Sequence, residues 1–146
     1  MGLLILFCLT LAQLLPGRTL SEAAFGYLAL QLILSYFVSG YVKILNPEWR
    51  SGQALRDVFL FSAYPVSEGM RDWAERPRLL WVMSWAVILF EILFPIAFFL
   101  GDALILALIV AALFHLANAV LFGLNRFFWI WMAAYPSLLW LQDRAF

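Results

Sequence analysis

The chain has one cysteine, one histidine and one lysine in 146 residues. The lone Cys8 excludes an internal disulfide, a CxxC redox pair and a thiolate metal cage. A single histidine without a cysteine partner argues against a zinc or di-iron centre, and it excludes a bis-histidine haem within the chain. One axial histidine for a haem or chlorin stays open. No Gly-rich phosphate loop, nucleophile elbow or HExxH motif occurs. Charge is scarce too, at 12% against about a quarter in soluble domains. The basic residues, eight Arg and one Lys, form no block that would point to nucleic acid.

What is present is apolar. Two thirds of the residues are hydrophobic and 18% are aromatic. Long uncharged runs of this kind describe an all-α integral membrane protein. Its length fits one transmembrane domain over residues 1–146, a bundle of four to five transmembrane helices. Met1 to Leu15 is short for a bilayer core of roughly 30 Å. We read this hydrophobic segment, within residues 1–20, as a short first span or half-inserted helix in preference to a cleaved signal. Ala23 to Leu45, Leu79 to Leu100, Ala103 to Leu124 and Phe127 to Leu141 are the four firmer spans. Trp129, Trp131, Tyr135 and Trp140 suit an interfacial belt.

Asn46 to Arg78 is the one long polar segment. Its apolar middle, Ala54 to Tyr64, predicts an interfacial or re-entrant helix. The surrounding Arg50, Arg56, Arg71, Arg76 and Arg78, mixed with Glu48, Asp57, Glu68, Asp72 and Glu75, read as a solvated face. The arginine excess would place this segment in the cytoplasm, in a multi-pass protein of the plasma membrane.

Polar residues inside the spans are the candidate site, because lipid tolerates them only where they face protein, water or a ligand. Gln31, Ser35, Ser39 and Lys43 recur every four residues and form a ridge on one helix side. Glu91 stands alone in apolar surroundings, one turn before Pro95, which frees the Glu91 carbonyl and predicts a kink. His115, Asn118, Leu121, Phe122 and Asn125 form a stripe on one helix face, polar at both ends. Each of these also has a plainer reading. Ser35, Ser39 and Gly40 suit close helix packing. Lys43 suits snorkelling to the interface, and Glu91 or His115 suits a packing hydrogen bond.

The stretch FHLANAVLFGLNRFFWIWMAA resembles the signature helix pair of the vitamin K-dependent gamma-carboxylases and their bacterial relatives, the horizontally transferred transmembrane (HTTM) domain proteins. The pattern falls on Phe114, His115, Asn118, Leu121, Phe122, Leu124, Phe127, Trp129, Ile130 and Ala133. A second segment, SGYVKILNPEWRSGQAL, is similar to that family at Gly40, Lys43, Leu45, Asn46, Trp49 and Gly52. Together the two cover about 36–146.

The resemblance implies an intramembrane pocket for a quinone- or lipid-sized ligand. It makes Lys43 the base and has His115 and Asn118 orient a ring oxygen. Glu91 would relay a proton or fix His115, and Asn125 and Trp49 would complete the binding site. Quinone is the cofactor it implies. The family pair is Lys-Lys where this chain has Lys43-Ile44, and the family's large extramembrane domain is missing. The first expectation is therefore a reduced or split carboxylase- or oxidoreductase-type enzyme. The alternative is a non-catalytic accessory subunit of a larger membrane complex that binds lipid, quinone or pigment. Membrane lipids and other membrane protein subunits are the expected partners, and nucleic acid is not. A transporter-like carrier comes third, since no internal repeat is visible.

Overall fold

An apolar chain without water around it has to bond its own backbone, and helices do so within one segment. The computed structural model describes residues 1–14, 17–61 and 71–146. Among these residues there are seven α-helices, one 3-10 turn and no strand. They are α1 (Gly2–Leu14), α2 (Arg18–Leu45), α3 (Pro47–Ser51), α4 (Gln53–Phe61), α5 (Pro77–Phe98), α6 (Ala103–Phe122) and α7 (Asn125–Ala145), with the 3-10 turn at Asp72–Glu75. The far end of the predicted interfacial segment, residues 62–64, and Glu68 lie outside the described residues.

Three helices, α2, α5 and α6, are long and apolar enough to cross a membrane. The all-helical, multi-pass architecture therefore holds, with three such helices where four to five were expected. α1 has 13 residues, about 20 Å at ~1.5 Å per residue. α7 has 21 residues, but Arg126, Asp143, Arg144 and its Trp, Tyr, Pro and Ser residues dilute its apolar character.

α2 is the central element, packed against α1, α5 and α7. Its contact with α5 is close because of Gly40. A Cβ at Gly40 would meet Ile92 N at 2.8 Å and Glu91 Cβ at 3.0 Å. α6 leans on α7 and more lightly on α5. The main core joins Cys8, Leu28, Leu32, Phe94, Leu104 and Leu138 from all of these helices. Pro95 sits within α5, which runs on to Phe98.

α2 ends at Asn46, which then starts α3. The Asn46 side chain accepts from Glu48 N at 2.9 Å, and Pro47 fills the first helical position. α3 ends at Gly52, where φ is 82°. A Cβ there would lie 2.9 Å from the backbone of Leu80 and Trp81, so this turn presses directly on α5. Trp85 Nε1 donates to Arg50 O at 3.2 Å, and Ser84 Oγ donates to Trp49 O. Thus α3 and α4 fold along the first half of α5. Phe59 anchors α4 in a second small core with Ala74 and Leu80, flanked by Trp73 and Phe122.

The opposite end is closed by polar contacts. Glu22 Oε1 receives Arg18 at 2.7 Å and Arg144 at 2.8 Å. Gln142 Nε2 donates to the carbonyls of Phe98 and Gly101, at 2.8 and 3.1 Å.

Candidate functional site

α2 and α6 barely approach each other, although both pack against their common neighbours. The gap between them is a cavity of about 360 Å³, within the usual range for small-molecule sites. Ser35, Tyr36, Ser39 and Lys43 enter from α2 and Glu91 from α5. Phe114, His115 and Asn118 enter from α6, and Leu124, Phe127 and Trp131 from the start of α7.

The ridge predicted on α2 supplies one wall, as helical spacing requires. Lys43 Nζ reaches both carboxylate oxygens of Glu91, at 2.8 and 2.6 Å. It also donates to Ser39 Oγ at 2.5 Å, and Ser39 Oγ donates to Glu91 Oε1 at 3.1 Å. Trp49 caps the ammonium from outside, with its ring centre 5.1 Å away. The pair is nearly sealed, with side-chain exposures of 16% for Lys43 and 5% for Glu91. Nζ thus has three acceptor atoms within reach, two of them on the one carboxylate. Lys43 therefore does not snorkel to open water. The carboxylate that looked alone in the sequence is paired through tertiary contact, which offsets its desolvation.

The other wall is a chain of hydroxyls and rings. The Tyr36 hydroxyl lies 3.0 Å from His115 Nε2 and 3.0 Å from the Tyr135 hydroxyl. Trp131 stacks on His115 with ring centres 4.7 Å apart and planes at 21°. Its Nε1–H is buried without a hydrogen-bond partner among the described residues. Asn118 Nδ2 donates to Phe114 O at 3.0 Å, within its own helix.

Four of the expected site residues, Lys43, Glu91, His115 and Asn118, therefore line one cavity. Trp49 touches the site only through Lys43. Three expectations are corrected. The stripe from His115 to Asn125 is not one helix face, because α6 ends at Phe122, Gly123 turns left-handed at φ 69°, and Asn125 opens α7. Asn125 is exposed and does not line the cavity. Glu91 does not fix His115, because its oxygens bond Lys43 and Ser39, and Tyr36 takes the histidine instead. Trp131 and Tyr135 leave the predicted aromatic belt for the core, each 8% exposed, whereas Trp129 is exposed.

Sequence reasoning missed Tyr36, Trp131 and Tyr135. Tyr36 stands three residues before Ser39 and seven before Lys43, so the ridge's own helical spacing could have found it. Tyr135 follows Trp131 by four on α7 and shares its face.

No curated protein and no solved structure matched the chain. The family model of the HTTM domain matches residues 17–142, which extends the likeness seen in the sequence back to the start of α2. With both signature segments folded around one cavity and the match spanning most of its length, the chain belongs to the HTTM domain family.

Proposed function

We propose that this HTTM-domain protein binds a quinone- or lipid-sized ligand in the cavity between α2 and α6 and acts on one of its oxygens. The activity would be of carboxylase or oxidoreductase type. The observation that carries this reading is the convergence of Lys43, Glu91, His115 and Asn118 on a cavity whose remaining lining is Ser35, Tyr36 and Ser39 with the apolar Phe114, Leu124, Phe127 and Trp131. Apolar walls with a few placed polar groups suit an amphipathic ring or headgroup, and any long tail would leave into the surrounding lipid. Lys43 is the candidate base in latent form. Its ammonium becomes an amine once Glu91 Oε2, 2.6 Å away, takes a proton. The free amine can then accept a proton from a ligand hydroxyl. His115 and Asn118 orient the ligand from the facing helix.

In this reading α7 crosses with α2, α5 and α6, and α1 enters part way. α3 and α4 lie at the cytoplasmic interface of a bacterial inner membrane. A second reading rests on the enclosed Lys43–Glu91 pair. With the ammonium held by Glu91 and Ser39, the pair serves as a structural lock, and the chain is an accessory subunit that holds lipid, quinone or pigment in a larger complex. Mild-detergent purification from the native membrane, followed by mass spectrometry of bound small molecules and proteins, separates the two. A stoichiometric quinone held without partner chains, and lost in Lys43→Ala and His115→Ala, supports the enzyme reading. A stable set of partner chains that survives both substitutions overturns it in favour of the subunit.

A further inference from the structure

The geometry points to a fixed polarity at His115. Tyr135 and Tyr36 lock its neutral ring as the Nδ1–H tautomer, so the ligand atom docked against it is a hydrogen-bond acceptor, a carbonyl or oxyanion oxygen. This rests on the ligand pocket proposed above and assigns the chemistry of one of its ends.

The assignment comes from counting protons. His115 is buried, and among the described residues no carboxylate faces it, because Glu91 is held by Lys43 and Ser39. A charged ring there would lack a counter-ion, so it is neutral and carries one N–H. Two directions are open to the chain Tyr135–Tyr36–His115 Nε2. In one, Nε2–H donates to Tyr36, Tyr36 donates to Tyr135, and the Tyr135 proton needs a further acceptor. Among the described residues Tyr135 has none, and it is only 8% exposed. In the other, Tyr135 donates to Tyr36, Tyr36 donates to Nε2, and every hydroxyl proton is used. A buried hydroxyl without an acceptor is the costlier state, so the second direction wins. Nδ1 then carries the hydrogen. It has no partner among the described residues and is not among their sealed, unpaired atoms, so it opens on the cavity that His115 lines.

Trp131 closes that end of the cavity with its ring stacked on His115, while its indole nitrogen is sealed from the cavity, so the acceptor answers to Nδ1. Tyr36 and Tyr135 act through His115 and are positioning residues.

His115 is the only histidine, so isotope-labelled histidine gives one imidazole in heteronuclear NMR of the purified protein. The expected spectrum has a pyrrole-type Nδ1 and a pyridine-type Nε2, and Tyr36→Phe turns it into a tautomer mixture. A pyrrole-type Nε2, or two protonated nitrogens, overturns the assignment. Naphthoquinone, which carries acceptor oxygens, is expected to move the Nδ1 signal, whereas naphthalene leaves it in place. Tyr36→Phe, which releases the tautomer, is expected to weaken naphthoquinone about two- to tenfold, the worth of one neutral hydrogen bond, with naphthalene unchanged. Equal responses to both probes overturn the acceptor assignment. If neither probe binds and Nδ1 still carries the proton, the ring-sized pocket falls and the tautomer lock stands.

Discussion

Gly40 of α2 lies directly against the backbone of Ile92 in α5, with room for no side chain between them. That contact brings the helices close enough for Lys43 to grip Glu91. A Cβ at position 40 would meet Ile92 Cγ1 at 2.7 Å and Ile92 N at 2.8 Å. Gly40→Ala is therefore expected to push the helices apart and cost about 1–3 kcal/mol. Thermal unfolding in detergent checks this, and an unchanged midpoint would show that the helices yield freely.

Breaking one partner of the Lys43–Glu91 pair strands the other charge in a nearly sealed site. Lys43→Met or Glu91→Leu alone is expected to lose roughly 3 kcal/mol, while the double variant recovers most of that. A double-mutant cycle measured by denaturation decides it. Additive losses would mean that the two side chains do not depend on each other.

Trp131 combines a large buried ring with an unpaired N–H. Trp131→Ala is expected to cost about 3–5 kcal/mol through the void it leaves. Trp131→Phe retains the stack on His115 and removes the orphan donor, so its loss is expected to be no more than about 1 kcal/mol. Stability curves of the two variants in the absence of ligand test this, and near-equal losses would locate the indole's value in its N–H.

Phe59 is the buried pin that fastens α4 to Trp73, Leu80 and Phe122. Phe59→Ala is expected to loosen α3, α4 and the Asp72–Glu75 turn without melting α2, α5 or α6. Hydrogen exchange read by mass spectrometry would show faster exchange there alone. Uniform acceleration across the long helices would refute the pin.

Legibility in the sequence followed distance along the chain. The ridge of Ser35, Ser39 and Lys43 was readable because one helix repeats every 3.6 residues or so and its faces follow from spacing. His115 and Asn118 were readable for the same reason. Spacing failed at Asn125, since a left-handed turn at Gly123 resets the helical phase. It failed again at Trp131 and Tyr135, where residue type suggested a belt and packing against Tyr36 and His115 decided otherwise.

Composition by itself determined that this is a helical membrane protein, because lipid leaves an apolar backbone few other ways to satisfy its polar groups. Two ordered segments, around Lys43 and around His115, were enough to point to its family. Only the tertiary structure decided who pairs with whom. Lys43 and Glu91 are 48 residues apart, and Tyr36 and His115 are 79 apart. No local periodicity reaches that far. These contacts exist because helices with small residues and buried rings settle at particular separations, and that packing alone turns scattered polar side chains into one cavity.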